Sequence, residues 1–136
     1  MAHTISIRPK STSRHGGAIV RWVPPLVLAA VFAGGGLAKL AGDPAMVAMF
    51  TDIGAGQWLR YVVGALEVAG AVGLLIPRLA GLAAVGIAAL MVGATLTNVF
   101  ILDTTPAVTV GLLLIAGFIA WSRRTRLQLP LTAPTR

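Results

Sequence analysis

Long apolar runs with almost no charge constrain this chain more than any other feature of its sequence. The run from Arg60 to Arg78 has the length of a membrane span and carries one carboxylate, Glu67, near its middle. A charged residue at the centre of a membrane helix costs about 2.5–3.5 kcal/mol on insertion scales. Charged residues make up 11% of the 136 residues, whereas soluble domains carry about 25%. The sequence therefore predicts a membrane protein in which Glu67 meets a polar partner.

The apolar runs predict an all-α membrane protein, an antiparallel bundle of four transmembrane helices that we call spans 1 to 4. The spans are expected at residues 22–41, 58–76, 79–102 and 106–122. Pro24 and Pro25 are placed in the first turn of span 1, where a missing N–H costs little. A tight turn at Pro77 and Arg78 makes spans 2 and 3 antiparallel neighbours. Residues 22–122 are thus expected to form a single transmembrane domain.

Two local patterns refine this bundle. Residues 43–53 start with a candidate N-cap, Asp43, and are predicted to form a short amphipathic helix on the outer membrane surface. Its apolar stripe consists of Met46, Met49, Phe50 and Ile53. In span 1, small residues form a ridge that is expected to let a neighbouring helix or another copy approach. This ridge consists of Ala30, Gly34 and Ala38.

The net charge of +7 is concentrated at the two ends of the chain. Residues 1–21 are predicted to be a basic, flexible cytoplasmic tail, and residues 123–136 a second cytoplasmic tail. Cleavage as a signal peptide is not favoured, because the apolar stretch 22–40 is longer than a signal core. Four spans put nine of the eleven Lys and Arg residues on one side, so both termini are expected in the cytoplasm, at the cell inner (plasma) membrane. Such flanks suit a lipid bilayer, and nucleic-acid binding is not expected.

Polar side chains within the spans are expected to converge in the outer leaflet. Because Cβ vectors tilt toward the helix N-terminus, Glu67 leans outward while Lys39 and Asn98 lean inward, toward one level. Lys39 is the favoured partner of Glu67, and Arg60 is expected to extend toward outer water. With Thr95 these residues form the candidate ligand-binding set. The alternatives are a purely structural Glu67–Lys39 pair, a Thr95 hydroxyl bonded to its own helix, and an Asn98 that only joins helices.

Several chemistries are excluded or left without residues. The chain has no cysteine, which excludes disulfides and thiolate metal sites. Its two histidines, His3 and His15, lie before span 1, so this chain alone does not hold a bis-histidine haem in the membrane. No metal-ligand set, nucleotide loop or nucleophile triad is present, so the sequence has no self-contained catalytic motif. No covalently bound cofactor is expected, and a redox cofactor would be mobile, such as a quinone, or belong to a partner.

Three segments resemble the DoxX family of small four-helix membrane proteins, in its short actinobacterial-type branch. They are GLAKL at 36–40, RYVVGALEVAGAVGLLIPRLAGLAAVG at 60–86 and MVGATLTNV at 91–99. The resemblance covers about residues 22–122. The family takes its name from a subunit associated with a terminal quinol oxidase and thiosulfate:quinone oxidoreductase, and some relatives are linked to membrane redox complexes that handle thiol and oxidative stress.

The resemblance also implies roles for individual residues. Lys39 and Glu67 match a recurrent charged pair of the family, and Arg60 and Arg78 match recurrent basic positions. Many relatives carry His near the end of span 3, where this chain has Asn98. An Asn side chain does not shuttle a proton as His does, so the resemblance implies no proton relay at this position.

Three functions are compatible with these features. The first is an accessory subunit of a quinone- or quinol-linked membrane redox system, which binds the ligand at the polar site and works with a separate redox protein. The second is a non-enzymatic membrane scaffold or assembly factor, alone or as a homo-oligomer. The third is an oligomeric small-solute transporter, which is the least favoured because four helices with an apolar inner half offer no path through one chain.

Overall fold

The computed structural model describes residues 14–124, which form five α-helices and no β-strand. The helices are α1 (Arg14–Ala41), α2 (Pro44–Ile53), α3 (Gln57–Leu75), α4 (Ala80–Phe100) and α5 (Ala107–Arg123). Spans 1 to 4 correspond to α1, α3, α4 and α5, and α2 is the predicted amphipathic helix. By length and composition, α1, α3 and α4 are able to cross a membrane, whereas α5 is a shorter apolar helix of 17 residues. The all-α, membrane-protein class is therefore confirmed.

The first helix differs from the prediction at its start. α1 begins at Arg14, so residues 14–21 are helical rather than part of a flexible tail, and Pro24 and Pro25 lie inside the helix. A proline has no N–H for the carbonyl four residues earlier, so Pro25 leaves the carbonyl of Arg21 without its helical donor. The Nη2 group of Arg123, at the end of α5, donates to that carbonyl at 3.2 Å. Predictions for residues 1–13 and 125–136 lie outside the described residues.

The short helix α2 follows its predicted capping pattern. Asp43 accepts hydrogen bonds from the backbone N–H groups of Ala45 and Met46 at 3.0 and 3.4 Å, which satisfies two donors of the first turn. Gly54 ends the helix in the left-handed conformation, with φ of 77°. The predicted stripe is the covered side of α2, since Phe50 is buried and Met46, Met49 and Ile53 are half-buried.

The long helices form two close pairs, α1 with α3 and α4 with α5, and consecutive long helices run antiparallel. The pairs meet across α3 and α4, where Gly73 faces Ala83 and Gly70 faces Ile87. The shared core includes Leu28, Phe32, Leu74, Ile87, Met91 and Ile119. Large apolar side chains also cover the outside of all four long helices. Such a surface would drive association in water but is suited to contact with lipid tails.

Candidate functional site: a buried charged cluster

Helices α1 and α3 approach most closely at two glycines. A Cβ atom at Gly36 would lie 2.8 Å from the carbonyl oxygen of Gly64, and one at Gly64 would lie 3.0 Å from the carbonyl oxygen of Gly36. Lys39 places its Cβ beside Gly64, and Glu67 places its Cβ beside Gly36. The Cβ atom of each charged side chain therefore packs against a glycine of the opposite helix. Because glycine has no side chain, Gly36 and Gly64 leave space for both charged residues.

The predicted ridge of span 1 is not this contact. Nothing lies within 4 Å of a Cβ atom built on Gly34, and Ala30 is exposed. The interpretation of this ridge as a contact within the bundle was wrong, because the rotation of α1 turns Gly36 rather than Gly34 toward α3. The alternative interpretation, a contact with another copy, stays a prediction.

The two charged side chains over these glycines form an ion pair. Nζ of Lys39 lies 2.9 Å from Oε2 of Glu67. Glu67 is 5% exposed, and Lys39 also lies 3.5 Å from the carbonyl oxygen of Gly35. The predicted contact between Lys39 and Glu67 is confirmed. Pairing offsets the cost of removing each charge from water, and loss of one partner would leave the other charge buried alone.

Arg60 is placed differently from the prediction. It was expected to extend toward outer water, but it is only 4% exposed. Its Nη1 group donates to the backbone carbonyl of Lys39, its Nε group donates to Oε1 of Gln57 at 2.7 Å, and its guanidinium lies 4.3 Å from the ring centre of Tyr61. Lys39 lies in the last turn of α1, where carbonyl groups lack helical donors. Arg60 therefore caps α1 and stays inside the protein.

Gln57 is the side-chain partner of Arg60, and the sequence interpretation missed it. Its Nε2 group donates to the carbonyl oxygen of Val47 and to Oγ1 of Thr51, both at 3.1 Å and both in α2. Its Oε1 accepts from Arg60, so Gln57 and Arg60 connect α2 to the end of α1. The three-residue spacing of Gln57 and Arg60 places them on one helix face, which is the signal that could have identified the pair.

Thr95 and Asn98 do not join the cluster. Oγ1 of Thr95 lies 2.7 Å from the carbonyl oxygen of Met91 and 3.0 Å from Oγ1 of Thr109 in α5. The expected bond of Thr95 to its own helix is present, but it is not the only one, because the hydroxyl also contacts α5. Among residues 14–124, no hydrogen bond links the side chain of Asn98 to Lys39 or Glu67. Because α4 packs mainly on α5, Thr95 faces that helix instead of the ion pair.

The charged cluster of Lys39, Arg60 and Glu67 is closed. One cavity of about 600 Å³ lies between the start of α1 and the end of α5, and a second of about 260 Å³ lies between α3 and α4. Neither cavity is lined by a residue of the cluster. A ligand at the cluster would therefore need an opening that neither cavity provides.

Comparison with known protein families identifies the family of this chain. The chain matches the DoxX-like family over residues 23–121, a range that includes the charged cluster and almost all of the four long helices. No curated protein matches the chain. No solved structure matches it either. With its apolar helices and a family match over most of its length, this small membrane protein belongs to the DoxX-like family.

Proposed function

We propose that the protein crosses the cell inner membrane four times, with α5 as the fourth span and both termini in the cytoplasm. The 17 residues of α5 extend about 26 Å, close to the roughly 30 Å of a bilayer core. Thr109 near its start contacts Thr95 of α4, and Arg123 at its end contacts Arg21 of α1. These contacts support a depth for α5 that matches its neighbours. The distribution of Lys and Arg supports the orientation.

We further propose that the protein is an accessory subunit of a quinone- or quinol-linked membrane redox system. The observation that carries this proposal is the charged cluster between α1 and α3, in which Arg60 and Glu67 are buried and Lys39 is partly buried. Ionisable residues inside a membrane bundle are costly and mark functional sites by default. The ammonium group of Lys39 is a donor suited to a quinone carbonyl, and the carboxylate of Glu67 is an acceptor suited to a quinol hydroxyl.

The cluster offers binding and proton exchange but no oxidant or reductant. Reduction of a quinone to a quinol takes up two electrons and two protons, so a separate redox protein would exchange the electrons. The ligand's apolar tail would lie along the lipid-facing side chains of α1 and α3. When a bound quinol is oxidised, Glu67 would take one of its two protons, the second would leave to water, and the partner redox protein would take both electrons. Lys39 would neutralise the carboxylate when no ligand is present.

A second function, a membrane scaffold without a ligand, is favoured by the closure of the cluster. With Glu67 5% exposed and neither cavity reaching it, the ion pair is also suited to fixing the register of α1 against α3. In this case a well-packed apolar pair of similar volume would replace it without loss of function. The two proposals therefore differ in what a change at Glu67 does.

The deciding experiment measures the quinone that co-purifies with the full chain extracted in mild detergent. We expect Glu67→Gln to lower bound quinone about ten-fold or more with a small change in stability, because the amide oxygen still accepts from Lys39. The control Asp52→Asn removes an exposed acid from α2 and should retain the ligand. The double variant Lys39→Met with Glu67→Leu should fold but bind no quinone. A wild-type protein that neither carries nor takes up quinone would refute the first function and leave the scaffold.

A further inference from the structure

The larger cavity lies where α1 begins and α5 ends. It has a volume of about 600 Å³ and an apolar floor that includes Val20, Pro25, Phe118 and Ile119. Arg21, Ser122 and Arg123 also line it, and Arg21 is exposed. The cavity is therefore amphipathic, with a hydrocarbon wall beside guanidinium groups.

Among residues 14–124, Arg21 forms no ion pair with an acidic side chain. The sequence has only four acidic residues, and none is near the start of α1 or the end of α5. They are Asp43, Asp52, Glu67 and Asp103. Asp43 lies two residues beyond the opposite end of α1, and Asp103 lies four residues before the opposite end of α5. The positive dipole end of α1 and the negative dipole end of α5 meet at this cavity and largely offset each other, so the positive charge here comes from the arginines. This end of the bundle therefore presents a net positive field.

Aromatic side chains place the cavity at the level of lipid head groups. Trp22 and Trp121 are both exposed, at 39% and 65%. The guanidinium of Arg123 lies 5.6 Å from the ring centre of Trp22, and that of Arg124 lies 3.8 Å from the ring centre of Trp121. Exposed tryptophans beside basic residues are typical of the boundary between hydrocarbon and water. The apolar floor would then face the acyl region and the arginines the phosphate region.

We propose that this cavity binds an anionic phospholipid, with its phosphate group at Arg21 and the first part of one acyl chain on the apolar floor. Basic pockets between membrane helices on the cytoplasmic side bind anionic head groups by the same combination of charge and shelter. A phospholipid head group and free phosphate both present phosphate oxygens to Arg21. Only the lipid also has an acyl chain that would contact the apolar floor. The proposal rests on the membrane placement proposed above, but not on quinone binding.

The test uses the tryptophans as reporters in the full chain purified in detergent. The chain has three tryptophans, so a Trp58→Phe background leaves only the two beside the cavity. Phosphatidylglycerol or phosphatidylcholine with brominated acyl chains is added, and fluorescence quenching reports close approach of an acyl chain. We expect half-maximal quenching at about five-fold less phosphatidylglycerol, the preference that one basic residue near the surface provides.

Two arginine variants separate a site from general surface charge. Arg21→Gln should remove most of the preference for phosphatidylglycerol, and it leaves the contact with Arg123 in place because Arg123 bonds the backbone carbonyl of Arg21. Arg78→Gln makes the same charge change at the exposed α3–α4 turn, away from the cavity, and should retain the preference.

Three results would overturn the proposal. Equal quenching by the two lipids would remove the basis for an anionic site. An equal loss of preference in Arg21→Gln and Arg78→Gln would attribute it to diffuse surface charge. Release of the lipid by inorganic phosphate at millimolar concentration would identify a free-phosphate site instead. Since none of these measurements involves quinone, their failure is distinguishable from failure of the proposed redox function.

Discussion

Replacing Gly36 by alanine should destabilise the protein, whereas the same change at Gly34 should not. The two residues lie in the same helix, but only Gly36 faces α3. A Cβ atom at Gly36 would lie 2.8 Å from the carbonyl oxygen of Gly64 and 2.8 Å from Cγ2 of Val68. A Cβ atom at Gly34 would have no atom within 4 Å. Both variants replace a glycine of α1 by alanine, so a difference in their stability reports the contact between α1 and α3.

The size of the effect follows from which neighbour is able to move. Val68 in a helix strongly prefers one χ1 rotamer, and the carbonyl oxygen of Gly64 belongs to the α3 backbone, so the helices must separate. Overpacking of this kind costs about 1–3 kcal/mol. Alanine at Gly34 instead removes the conformational cost of a helical glycine, a gain of about 0.5–1 kcal/mol. We therefore expect the two variants to differ by about 1.5–4 kcal/mol in free energy of unfolding.

The measurement is reversible unfolding in mixed micelles of mild detergent and increasing dodecyl sulfate, followed by helical circular dichroism. Gly64→Ala serves as a third point. Its Cβ atom would lie 3.0 Å from the carbonyl oxygen of Gly36, so it should also destabilise, but by less than Gly36→Ala. Equal stabilities for Gly36→Ala and Gly34→Ala would show that α1 and α3 do not meet at this level, and the geometry of the charged cluster would then be wrong.

Two further predictions concern the hydrogen bond between Gln57 and Arg60 and the number of membrane spans. Gln57→Leu leaves Nε of the buried Arg60 without its acceptor and should lower the free energy of unfolding by about 1–3 kcal/mol in the same assay. Gln57→Glu keeps an acceptor oxygen and should lower it by less. Equal losses in the two variants would exclude a stabilising role for Oε1 of Gln57. Because the chain has no cysteine, a single introduced cysteine reports membrane topology without background labelling. Ala55→Cys and Thr105→Cys should react with an impermeant maleimide from outside the cell. Arg78→Cys should react only after the membrane is opened. Labelling of all three from outside would contradict four spans.

The sequence predicted the helices well because length and apolar content decide them locally. The limits of the last three spans and of α2 agree with the structure to within a few residues. The start of α1 was missed because Pro24 and Pro25 favour a helix start in a local interpretation. The donor that satisfies the carbonyl freed by Pro25 is Arg123, 102 residues away in the chain, so no local pattern reveals it.

Of the candidate site, the sequence predicted only the pair of Lys39 and Glu67, which was chosen by the expected depth of the two side chains in the membrane. Lys39 and Glu67 were paired from their expected depth and side-chain direction, and the structure confirms the contact. Arg60 was misplaced because its partner is a backbone carbonyl at a helix end, which has no sequence signature. For Thr95, depth was insufficient because the rotation of α4 about its axis follows from packing against α5.

The reciprocal fit of glycine and charge between α1 and α3 has a consequence for how the molecule can move. Sliding one helix along the other by a single turn, about 5.4 Å, would bring bulky side chains opposite Gly36 and Gly64 and separate the ammonium of Lys39 from its carboxylate. α1 and α3 therefore behave as one rigid body. The interface between this body and the α4–α5 pair is less extensive and largely apolar. Large-scale motion would thus be a rocking of two helix pairs against each other, with the α3–α4 turn as the hinge.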